Sequence, residues 1–132
     1  MSLTRILPLL LVVAGVARAA DGPIDGTWEV VSMTKNGKAD DAWAGATREH
    51  AGDKYTMSKA GGKAVSGTMK VNAAHKTVDL MPNEGQYKGK TLAGVYELTG
   101  DTLKIAFAEP GKERPAKVMD GEGITVAVYK KK

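Results

Sequence analysis

Leu92-Ala93-Gly94-Val95-Tyr96-Glu97-Leu98-Thr99-Gly100-Asp101-Thr102-Leu103-Lys104-Ile105-Ala106-Phe107-Ala108 is the stretch that decides the fold. Two alternating runs, residues 92–99 and 102–108, meet at Gly100-Asp101, a pair suited to a two-residue hairpin turn because glycine takes the positive φ such turns need. Leu92, Tyr96 and Leu98 fall on one side of the first run, and Leu103, Ile105 and Phe107 on one side of the second. Glu97, Thr102 and Lys104 fall on the other. This period of two predicts an antiparallel hairpin with one face buried and one in water.

Working outward, the same alternation recurs in short runs at residues 27–33, 54–58, 63–71, 77–81 and 124–130, separated by turn residues such as Asn36-Gly37 and Gly61-Gly62. A further short strand is expected near residues 116–119. Residues 39–50 are the one stretch that reads as a short helix, with Asp40 or Asp41 as N-cap and Gly52 as the stop. The total is seven or eight antiparallel strands with short connections, the pattern of an up-and-down β-barrel of all-β class with one short helix. Parity assigns to the interior Trp28, Val30, Tyr55, Met57, Val65, Met69, Val71, Val78 and Leu80, the six apolar residues of the central hairpin, and Ile124, Val126 and Val128. Gly67, Gly94 and Ser32 are small inward positions, read either as space for a ligand or as points of close backbone approach.

The 132 residues suit one domain, and 42% apolar with 26% charged residues is the composition of a folding chain. The absence of cysteine excludes disulfides, a thiol nucleophile and thiolate metal sites. Residues 1–19 have the build of a secretory signal: Arg5, an apolar run over residues 6–16, then Ala17-Arg18-Ala19 at the cleavage point. The apolar run is too short to span hydrocarbon. Cleavage after Ala19 is expected to leave residues 20–132 as a single secreted or periplasmic domain that is not membrane-spanning. Loss of Arg5 and Arg18 lowers the formal charge from +4 to +2. So weak a basicity, with no cluster beyond Lys130-Lys131-Lys132, argues against nucleic acid.

Gly26-Thr27-Trp28 followed by Val30 and Val31 resembles the opening strand of lipocalins. Residues 94–104, continued by Ala108-Glu109-Pro110-Gly111-Lys112 and Arg114-Pro115, are similar to the signature of a small lipocalin-like exported domain that recurs in planctomycete proteins, a group to which no biochemical activity is assigned. The resemblance covers about residues 25–130. It implies a calycin-type barrel, expected as a monomer without cofactor. Where lipocalins place an arginine at the end of the last strand, Lys130 stands here, and it is expected to reach Trp28 in a cation–π contact that helps close the barrel.

Eight strands enclose just enough room either for the barrel's own side chains or for one small ligand. The first alternative is a small hydrophobic or amphipathic ligand lined by Tyr55, Tyr96 and Phe107, with the two hydroxyls as its polar handles. The second is a filled barrel acting through its surface on an envelope protein, with Trp43 and residues 82–90 as contacts. No nucleophile motif, phosphate loop or metal-ligand spacing appears, so an enzyme is the least favoured class. His50 and His75 are expected in exposed loops. Arg114 is expected to clamp Glu109 or Glu113 and to stiffen the rim loop.

Overall fold

The computed structural model describes residues 23–59, 62 and 64–132. The expected signal segment lies outside them, as do Gly61 and Lys63. Nine strands follow one another: β1 (Gly26–Lys35), β2 (Lys38–Ala39), β3 (Thr47–Ala51), β4 (Lys54–Ser58), β5 (Ala64–Asn72), β6 (Thr77–Pro82), β7 (Leu92–Thr99), β8 (Thr102–Ala108) and β9 (Ile124–Lys131). Each of β3 to β8 pairs antiparallel with the next, β3 pairs with β1, and β9 pairs back onto β1. Eight strands thus close a barrel, and the two-residue β2 extends β1 as a small hairpin. Closure leaves the barrel with no unpaired edge, the usual hazard of an all-β chain. The hairpin over residues 92–108 forms with the expected register, Thr99 facing Thr102 across Gly100-Asp101. Asn36 and Gly37 both take positive φ in the β1–β2 turn.

No helix occurs among the described residues. The stretch expected to be helical divides instead into tight turns and β3. Asp40 does cap, but it caps a turn, its carboxylate accepting the Ala42 N–H at 3.1 Å. The turn is pinned to β1 through Val30, whose N–H donates to the Ala46 carbonyl and whose carbonyl accepts the Gly45 N–H, both at 2.8 Å. These bonds use the backbone groups that a helix would have needed. The short strand expected near residues 116–119 is also not formed, and β3 is the eighth barrel strand in its place.

Trp28, Val30, Met57, Met69, Val78, Leu80, Leu103 and Ile105 fill the interior as parity requires. Leu98, at the end of β7, is exposed. In β9 the assignment is reversed: Ala127 and Tyr129 are buried, while Val126 and Val128 face outward. The valines shed water on the outer face, where they lie beside Val118 and Met119 of the loop over residues 109–123. That loop is anchored at Arg114 and at Asp120, whose carboxylate accepts the Thr34 hydroxyl at 2.7 Å. A bulge in β1 at Val31, between the pairs Val128–Ser32 and Tyr129–Val30, lets Trp28, Val30 and Met33 all face inward. It puts Ser32 on the outside.

With β9 turned by one residue, Lys131 rather than Lys130 lies over Trp28, its Nζ 4.9 Å from the ring. The expected cation–π closure is made, one position later. The two inward glycines mark close approach. A Cβ on Gly67 would sit 2.6 Å from the ring of Tyr55, its cross-strand partner, and one on Gly94 would sit 2.7 Å from the Ala106 carbonyl oxygen. Trp28 is 1% exposed and donates its indole N–H to the Ile24 carbonyl at 3.0 Å. Trp28→Ala is therefore expected to cost about 3–5 kcal/mol. A chemical melt that left the midpoint unmoved would contradict this account of the core.

Candidate functional site

β3 reads Thr47-Arg48-Glu49-His50-Ala51, and alternation turns Arg48 and His50 into the barrel. Only 3% of Arg48 and 2% of His50 is exposed. His50 is therefore not the exposed loop residue that the sequence suggested. Its Nδ1 lies 2.9 Å from the Ile24 carbonyl, which can only accept, so Nδ1 carries the proton and Nε2 offers a lone pair. That lone pair accepts the Arg48 Nε–H at 2.9 Å. One carbonyl, Ile24, thus receives both Trp28 and His50, and a continuous hydrogen-bonded line runs from the indole to the guanidinium.

Burial, and secondarily the Arg48 charge, push the His50 pKa down from 6.5 to about 3, against the raising effect of the Ile24 hydrogen bond. His50 is neutral in the folded barrel across the physiological range. Arg48 completes its surroundings with aromatic faces: its guanidinium carbon is 4.3 Å from the Tyr55 ring centroid and 5.4 Å from that of Tyr129. Its Nη1 reaches the Met57 sulfur at 4.0 Å, and its Nη2 is buried without a partner, as is the Tyr129 hydroxyl. Burial raises the pKa of Tyr55 and of Tyr129, so both hydroxyls stay protonated.

Arg48 and Tyr55 line a pocket of about 270 Å3 that opens at the mouth of the barrel. Its walls are largely apolar, from Met33, Met57, Val65, Leu80, Leu92 and Phe107. Trp43, Tyr87 and the 84–87 segment form its rim, and Lys59 lies 5.2 Å above the Trp43 ring. Of the three expected lining residues, the structure brings Tyr55 and Phe107 together here. Tyr96 is instead beside a separate depression with His75 and Lys76, its hydroxyl buried without a partner. Glu84, at the rim, accepts the Ser66 N–H through both carboxylate oxygens at 3.2 and 3.3 Å.

Arg114 does not clamp Glu109 or Glu113. Its Nη2 pairs with Asp79 at 2.7 Å and its Nη1 donates to the Gly94 carbonyl at 2.8 Å, strapping the outer loop across β6 and β7. Both side chains of that pair are a third exposed, so the contact fixes the loop more than it stabilises the fold. Among the described residues no group of three or more His, Asp or Glu side chains could hold a metal ion, and no helix is long and apolar enough to cross a membrane. The sequence reading missed Arg48 altogether. The signal that exposes it is Gly52-Asp53, the same dipeptide as at the β7–β8 turn, which joins β3 to β4 with Ala51 facing Lys54 and Gly52 at φ 64°.

Comparison of the chain with models of known protein families, with curated proteins and with solved structures finds no match.

The depressed His50 pKa fixes a pH dependence. Between about pH 6.5 and pH 3 the unfolded chain binds a proton on this histidine that the folded barrel refuses, so stability falls as the pH falls. The slope from this group is at most roughly 1.4 kcal/mol per pH unit. His50→Gln, whose amide can both accept from Arg48 and donate to Ile24, is expected to flatten it. Chemical denaturation of both proteins at pH 7, 6, 5 and 4 measures the difference, and parallel curves would contradict the assignment.

Proposed function

We propose that the chain is an exported lipocalin-like domain that holds a small hydrophobic or amphipathic ligand at the mouth of its barrel. The observation that carries the reading is the apolar pocket between Met33, Met57, Leu80, Leu92 and Phe107, left open where a filled barrel would have closed it with side chains. Its volume, about 270 Å3, lies near the lower end of the range for small-molecule sites, so the ligand is small. Tyr55 and Phe107 are its aromatic lining, and Trp43 and Tyr87 stand at the entrance. The lipocalin resemblance of the opening Gly26-Thr27-Trp28 strand supports a carrier or sensor, and the signal-like first 19 residues support action outside the cytoplasm.

The neutral dye N-phenyl-1-naphthylamine tests the pocket. Saturable fluorescence enhancement with one dye per chain is expected, and Val65→Trp, which fills the pocket wall, is expected to weaken it at least about tenfold while the far-ultraviolet dichroism is kept. Absence of saturable binding, or equal binding by Val65→Trp, overturns the reading. Export is checked separately by the mass of the chain recovered from its host, which is expected to begin at Ala20.

A further inference from the structure

Arg48 is a cation that burial cannot silence. A buried lysine can lose its proton, whereas a guanidinium stays charged. The groups around Arg48 are a neutral imidazole, a thioether and the faces of Tyr55 and Tyr129, none of which carries a negative charge. The carboxylate that shares its pocket, Glu84, is at the exposed rim and is engaged by the Ser66 N–H. The ion pair found among the described residues, Arg114 with Asp79, belongs to the outer loop strap. A charge buried without an opposite charge bears its full desolvation penalty, and cation–π contacts with two tyrosines offset only part of it. The unpartnered Nη2 is a hydrogen-bond donor that the fold leaves unused, on a side chain that lines the pocket.

Resting on the reading of the pocket as a ligand site, we propose that its occupant is an organic monocarboxylate whose head group is received by Arg48 and whose apolar body lies along the pocket walls. The edge of a guanidinium matches a planar carboxylate, and the pair strengthens where water is excluded. One cation balances one negative charge. A dianion such as a phosphate monoester would keep an uncompensated charge inside the barrel and meet Glu84 on the way in. The small pocket volume favours a short-chain or single-ring acid over a long-chain one.

Octanoate and octan-1-ol, which share a tail and differ in head group, separate this proposal from the one beneath it. In calorimetric titrations of the wild-type chain, octanoate is expected to bind roughly ten- to a hundredfold more tightly than octanol, the range expected for hydrogen bonds to a charged group. Arg48→Gln is expected to abolish that preference and leave octanol affinity within about twofold, since the apolar walls are unchanged. Arg48→Lys provides a second variant that keeps the charge and loses the planar fork, and it is expected to weaken octanoate severalfold without affecting octanol. Equal binding of the two by the wild type overturns the carboxylate assignment and leaves the pocket reading standing. An octanoate preference that persists in a folded Arg48→Gln overturns the assignment as well. Failure of both compounds to bind a chain that binds the neutral dye overturns the carboxylate assignment, and failure of the dye removes the pocket reading itself.

Discussion

The barrel interior is arranged around one buried line of hydrogen bonds, in which the Ile24 carbonyl accepts from both Trp28 and His50, and His50 in turn accepts from Arg48. Each group needs the next. Without Ile24 the tautomer of His50 is unset, and without that tautomer Arg48 Nε faces no acceptor. A partly satisfied buried network is worse than an apolar core, so the position of the segment before β1 is tied to that of β3, the strand paired with β1. Trp28 lies at the outer end of the line beneath Lys131, whose Nζ also reaches the Asp25 carbonyl at 3.2 Å.

This line divides the interior. On the Trp28 side, Trp28, Leu103, Tyr96 and Tyr129 fill the cross-section with bulky side chains. On the other side of Arg48 the inward residues Met33, Met57, Val65, Leu80 and Phe107 leave the pocket open between them. Gly67 contributes to the division, because the ring of Tyr55 lies where a Cβ would be and so stays beneath Arg48. The loop over residues 109–123 covers part of the outside of the barrel and leaves the pocket mouth to Trp43 and the 84–87 segment.

How much of this was legible in the sequence depends on whether polarity and direction agree. In β7 and β8 they do, and strand bounds, turn and register are readable from Leu92 to Ala108. In β9 they conflict: the valines at 126 and 128 are more apolar than Ala127, yet the outer loop lets them face outward, while Tyr129 turns in and buries its hydroxyl. The shift of the closing cation from Lys130 to Lys131 follows from that single reversal. In β3 the conflict is complete, since Arg48 and His50 are both polar and both inside. A pattern rule that places polar residues in water reads such a strand as something else. Arg48 and His50 were hidden because both break the local rule, as residues at functional or strained positions do.

The placement of Arg48 is therefore informative beyond its contacts. A barrel selected for stability alone would carry a leucine or methionine at this position, because replacing buried ionic groups by apolar residues of similar volume is often neutral or stabilising. His50 would then be dispensable too, as its Nε2 serves Arg48. The chain instead holds both, keeps His50 neutral to supply an acceptor, and brings two tyrosine rings against the guanidinium. These arrangements lower the cost of a fixed positive charge without removing it. What remains is a fixed positive charge at the inner end of an apolar pocket, and under the carboxylate proposal this charge selects the occupant by the sign of its head group.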